Sequence, residues 1–180
     1  MSTTKLMTSE ELLAMGDDFH FELFRGELRP LMSTKPKHGL VAGRFVSRLG
    51  AYGGFGELGE VYTAEAGFTL KRGPNTVFSP DIAYFRSDRA PVGAEAVRFT
   101  EIPPDVVVAV LSPSNSRPEM LERSAIFLAA GVRLVLIADP DRQTIEARDN
   151  DGERVFRLGD RLTRLDALPE FDVPVAAFFR

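Results

Sequence analysis

Apolar and polar positions alternate along this chain in segments short enough to read one at a time. Thr8-Ser9-Glu10-Glu11 has capping-box spacing, with Thr8 as N-cap and Glu11 three residues on. A short helix to about Met15 is expected, with Leu12, Leu13 and Met15 inward, stopped by Gly16 and two aspartates. Two β-prone runs, 19–24 and 27–31, flank Arg25-Gly26 and predict a hairpin. Pro30 marks its second run as an edge. Over 36–51, Val41, Phe45, Leu49 and Tyr52 recur at helical spacing, with Lys37, Arg44 and Arg48 on an adjacent face. Pro36 suits the first turn of that helix, and Gly53-Gly54 closes it.

Strand-like runs follow at 59–63, 67–71 and 77–85. Residues 87–104 read as a surface loop ending in Pro103-Pro104. The run 105–111 is continuously apolar after Asp105, as in a strand buried on both faces. A helix over 118–130, capped by Gly131, leads to a second buried strand at 133–138. Strand, helix and strand in this order predict a right-handed crossover between parallel strands. A second hairpin is expected around Asn150-Asp151-Gly152, and the apolar tail 168–179 should dock on the core. The predicted fold class is α/β (α+β), a mixed β-sheet flanked by helices, with hairpins at its edges.

The length, 180 residues, suits a single domain over 1–180. Such a chain can bury roughly 70 % of its unfolded surface without a disulfide or metal staple. No cysteine is present, which excludes disulfides, zinc–thiolate sites and thiol catalysis. The first residues lack a basic end followed by an apolar stretch, and no run reaches the ~20 apolar residues of a membrane span. A cytoplasmic protein without a membrane partner is therefore expected. The net charge of −4 gives no global pull toward nucleic acid, so any such binding must come from a local site.

Asp81 stands inside the otherwise apolar run 77–85. A buried carboxylate needs a cation, a metal or backbone donors. Pro80-Asp81 is also an ordinary turn pair, so both readings stay open at this point. The wider context adds to the first. Phe21-Glu22-Leu23-Phe24-Arg25-Gly26-Glu27-Leu28, Lys37-His38, Ser79-Pro80-Asp81, Ala109-Val110-Leu111-Ser112-Pro113-Ser114 and Asp139-Pro140 occur in one order along almost the whole chain. In that order and spacing the chain resembles the Uma-type restriction endonucleases, a bacterial branch of the PD-(D/E)xK nuclease superfamily.

The resemblance implies a restriction-endonuclease-like fold and phosphodiester hydrolysis of DNA with Mg²⁺ or Mn²⁺. It implies Asp81 as first metal ligand, the Val110 carbonyl as a backbone ligand, a second acid at position 109 and a lysine at position 123. This chain departs from the pattern twice, with Ala109 and Arg123 at those positions. Ala109 removes a ligating oxygen pair. Arg123 keeps a positive charge but stays protonated and has a different shape from lysine. If the alignment holds, the Ala109 Cβ should lie within about 6–7 Å of the Asp81 carboxylate, the span of two acids sharing one ion.

Among compensating acids, Asp105 is too far along the strand, ~13 Å at ~3.3 Å per residue. Glu22 is preferred over Glu65, Glu119 and Glu122, because it lies in the resembling Phe-Glu-Leu element. Lys37, His38, Arg44 and Arg48 are candidate phosphate contacts, or a plain solvated face. Ser112 and Ser114 follow a strand, but no Gly-x-Ser-x-Gly elbow is present, and Gly53-Gly54-Phe55-Gly56 lacks the Lys-Ser/Thr of a phosphate loop. Two functions follow. One is a Mg-dependent DNA endonuclease impaired at its second acid. The other is a nuclease-fold module without catalysis that binds nucleic acid or a protein partner. A third reading is an assembly protein whose hairpins mediate a homodimer, an arrangement the resemblance implies because two cuts need two sites.

Overall fold

A computed structural model describes residues 6–16, 21–31, 34–112 and 116–180. The expected stop at Asp17 and Asp18, the start of the first hairpin run at Phe19-His20, and Pro113-Ser114-Asn115 lie outside the described residues. The expected capping box forms on α1 (Ser9–Leu13): Thr8 Oγ1 accepts from the Glu11 N–H at 3.1 Å, and Glu11 accepts from the Thr8 N–H at 2.9 Å. Leu12 is buried as expected, whereas Leu13 is exposed.

The chain builds two main sheets. Strands β1 (Phe21–Phe24) and β2 (Glu27–Pro30) form the hairpin around Arg25-Gly26, with Pro30 on the edge strand. Arg25 and Gly26 both have positive φ, as a tight two-residue turn requires. After α2 (Pro36–Tyr52) come β3 (Gly59–Thr63), β4 (Phe68–Lys71), β5 (Thr76–Phe78), β6 (Ile82–Arg86) and β7 (Val106–Val110). Helix α3 (Arg117–Ala129) leads to β8 (Leu134–Asp139), then the hairpin of β9 (Thr144–Asp149) and β10 (Gly152–Phe156). A two-stranded ribbon, β11 (Arg161–Leu162) with β12 (Val173–Pro174), and α4 (Ala176–Phe179) end the chain.

The six-stranded sheet has the order β10-β9-β8-β7-β6-β3 and is mixed: β7 and β8 are parallel across the α3 crossover, and the other pairs are antiparallel. The second sheet is antiparallel, β2-β1-β5-β4. Two expectations are corrected here. The first hairpin does not extend the mixed sheet; it belongs to the second one. The run 77–85 is not one strand but two, β5 and β6, in different sheets. Pro80 has no N–H to give to a ladder, so the chain breaks at Ser79-Pro80-Asp81 and changes sheets there. Asp81 therefore stands at the entrance to β6, not inside a strand.

Strand β7 is buried on both faces and sorts its side chains by parity. Val106, Val108 and Val110 pack with Val41, Phe45 and Leu49 of α2 and with Phe178 of α4. Val107 faces the other way, toward Phe127 of α3 and Phe24 and Phe78 of the second sheet. Position 109 has the parity of Val107, so its side chain looks into the space between β7, α3 and the second sheet.

Candidate active-site cleft

That space is a cleft of about 280 Å³, lined among others by Glu22, His38, Asp81, Ala109, Val110 and Arg123. The sheet change at Ser79-Pro80-Asp81 delivers Asp81 to its floor. Asp81 Oδ2 accepts from the Val110 N–H at 2.7 Å, which fixes the carboxylate beside the end of β7. At most ~3.8 Å of covalent chain separates the Val110 nitrogen from the Ala109 Cβ. That Cβ thus lies within about 6.5 Å of Asp81 Oδ2.

His38, in the first turns of α2, is buried with only 8 % of its surface exposed. Its Nε2 stands 3.3 Å from Asp81 Oδ1. The Asp81 carboxylate raises the imidazole pKa above its ordinary value against the opposing effect of burial, and a backbone hydrogen bond to Val110 adds to the rise. His38 thus faces the Asp81 carboxylate in the cleft that Val110 also lines.

Glu22 and Arg123 form a second pair. Arg123 reaches both Glu22 oxygens, at 2.7 and 2.8 Å, and the Ser79 N–H donates to Glu22 Oε1 at 2.9 Å. The pair is largely dry, with side chains 5 % and 19 % exposed. The guanidinium also lies over the Phe78 ring, 4.0 Å from its centroid. Burial pushes the Arg123 pKa down, but the Glu22 contact outweighs it and the net direction is up. Arg29, which also lines the cleft, sits 4.0 Å from Glu119 and 4.1 Å from the Phe24 ring centroid; outside the lining, Arg25 pairs with Glu122 at 2.7 Å.

The structure brings Asp81, Ala109, Val110, Arg123, Glu22 and His38 into one cleft. It does not bring Lys37, Arg44 and Arg48 there. Lys37 pairs with Asp141 at 2.6 Å. Arg44 donates to the Phe178 carbonyl at 3.4 Å, and Arg48 donates to the Arg44 carbonyl at 3.1 Å with its guanidinium 5.2 Å from the Phe178 ring centroid. These two arginines anchor the C-terminal helix on α2. Glu65 lines a different cavity, with Tyr62 and Phe68. Sequence reasoning missed two partnerships, His38 with Asp81 and Glu22 with Arg123. The only available signal was that each buried charge needs an opposite one.

Asp81 and Val110 line the cleft, position 109 offers only a methyl group there, and Glu22 is held by Arg123. Among the described residues no group of three or more His, Asp or Glu side chains is arranged to hold an ion. The remaining donors still suit a divalent cation that keeps several waters, because such ions often take only one or two carboxylates from the protein.

A mixed sheet with one parallel crossover, an acid at the sheet change and a cleft at the end of β7 define a nuclease-like architecture. The family described as "Uma2: Putative restriction endonuclease" matches residues 9–176, and the chain belongs to that family. Its fold is shared with a crystal structure described as a putative nuclease belonging to DUF820 from Anabaena variabilis ATCC 29413. The TM-score is 0.81 at 20 % identity, over 96 % of this chain and 97 % of that one. No curated protein matches the chain. No helix among the described residues is long and apolar enough to cross a membrane.

Proposed function

We propose that this chain is a DNA-directed nuclease of its family whose hydrolytic centre is impaired at one position, in a cytoplasmic homodimer. Position 109 carries the reading. It looks into the cleft within about 6.5 Å of the Asp81 carboxylate and offers a methyl group where a second ligating acid belongs. Asp81 and the Val110 carbonyl would hold Mg²⁺ or Mn²⁺ weakly. A bound divalent ion supplies positive charge to a phosphate oxygen and makes a nearby water more acidic. The chain's own part is to seat a phosphodiester. Arg29, which lines the cleft, offers a guanidinium group suited to phosphate. Arg123 adds positive charge at the floor, yet its bonds are spent on Glu22, so it cannot relay a proton.

The closed Glu22–Arg123 pair favours a second reading, a catalytically silent module that binds nucleic acid or a protein partner. Plasmid DNA incubated with the protein and Mg²⁺ or Mn²⁺ separates these from a working enzyme. The impaired centre gives retained DNA binding with trace nicking that disappears in Asp81→Ala. No nicking at all, with binding retained, favours the silent module. Robust cutting by the unmodified protein, lost in Asp81→Ala, contradicts both.

A further inference from the structure

His38 lines the cleft in a specific position. It is buried, and its helix is pinned to β6 and β7 by Val41, Phe45 and Leu49 two and three turns of α2 or less away. That packing leaves the imidazole facing the Asp81 carboxylate, in the cleft that Val110 also lines. In an octahedral site with metal–ligand bonds of ~2.1–2.2 Å, neighbouring ligand atoms are ~3 Å apart. The 3.3 Å between His38 Nε2 and Asp81 Oδ1 is close to that edge length.

We propose that His38 supplies the ligand position 109 no longer offers, making with Asp81 and the Val110 carbonyl a mixed nitrogen–oxygen site for a transition-type divalent ion such as Mn²⁺ or Co²⁺ rather than Mg²⁺. This rests on reading the Asp81 cleft as the family's nuclease centre. The choice of ion follows from donor type. Mg²⁺ prefers all-oxygen surroundings and holds its waters firmly, whereas imidazole suits the later first-row ions. Glu22 cannot serve instead without releasing Arg123 into a largely dry pocket, which would leave a guanidinium unpaired. Two side chains and one carbonyl make a site of modest strength. That is consistent with the absence of a three-side-chain group among the described residues.

Metal binding measured without DNA tests the proposal. Mn²⁺ is titrated calorimetrically, and Mn²⁺ bound to the protein is examined by pulsed electron paramagnetic resonance for coupling to a ligand nitrogen. The unmodified protein is expected to bind Mn²⁺ and Co²⁺ more tightly than Mg²⁺ and to show that coupling. Asp81→Asn and His38→Ala should each weaken Mn²⁺ binding by roughly tenfold or more, the scale on which support of a metal site is lost. His38→Ala should also lose the coupling. Failure to bind Mn²⁺ in an Asp81-dependent way, bound Mn²⁺ without nitrogen coupling, or a folded His38→Ala that binds as well as the parent would each overturn it. Should His38→Ala not fold, the nitrogen coupling in the unmodified protein decides alone. Mn²⁺ held through His38 in a protein indifferent to DNA would keep this inference and sink the functional reading. DNA binding without an Asp81-dependent ion would do the reverse.

Discussion

Arg123 and Glu22 hold each other in the cleft through two hydrogen bonds. A lysine at position 123 would present a mobile ammonium. The arginine presents a flat fork, and both oxygens of Glu22 are satisfied by it while Phe78 covers its face. Removing one partner leaves the other charged and poorly hydrated. Glu22→Gln is therefore expected to cost about 3 kcal/mol in urea unfolding, the lower end for breaking a buried pair because Arg123 keeps some exposure. A change under about 0.5 kcal/mol would mean the pair is solvated in solution. His38 makes a second residue-scale prediction for the metal-free protein. Its pKa is raised above the ordinary 6.5, with the Asp81 contact as the leading cause. The imidazole should therefore titrate above that value by NMR and move back down in Asp81→Asn. Since the folded value is the higher one, the stability this contact adds is complete below the ordinary pKa and is lost as pH rises through the raised one. An unchanged titration in Asp81→Asn would break the assigned contact.

Among the elements, β7 depends on what holds its first end as much as on its apolar run. Asp105, fully buried just before β7, accepts from the Arg86 N–H at 2.9 Å and from Arg89 at 2.5 Å, with Arg133 at 3.8 Å. It ties the 87–104 loop and the start of β8 to the strand that carries position 109. Asp105→Ala should lower stability by about 2–3 kcal/mol, as expected for losing charged hydrogen bonds whose arginine partners can partly rehydrate. A melting temperature equal to the parent's would show that the strand is held otherwise. The elements legible in the sequence were those with local chemistry at their ends: the Thr8 box, the Arg25-Gly26 turn, the α2 face and the 105–139 crossover. The division into two sheets was not legible. Val77 and Phe85 read as one apolar run, and only tertiary pairing shows that Pro80 sends its halves to different sheets. The site divides the same way. Asp81 and position 109 were found from their order along the chain, while Glu22 meets Arg123 across 101 residues and leaves no local signature. Arg44 and Arg48 looked like a phosphate-binding stripe because their true partner, Phe178, lies at the far end of the chain.

For the whole molecule, fold and family are nuclease-like, and the proposed chemistry turns on one methyl group. The net charge of −4 gives no general pull on DNA, so the DNA binding proposed above has to come from the cleft, where Arg29 stands half exposed. The proposed DNA binding and hydrolysis would then rest on the same few residues, with position 109 at their centre. The most direct test is the rate of Mg²⁺-dependent plasmid cleavage by Ala109→Glu beside the unmodified protein, with Asp81→Asn added to the variant as control. The account predicts a gain of about 100-fold, the worth of one well-placed charge-stabilising group, abolished by the added Asp81→Asn. A folded Ala109→Glu protein that cuts no faster than the parent would contradict it.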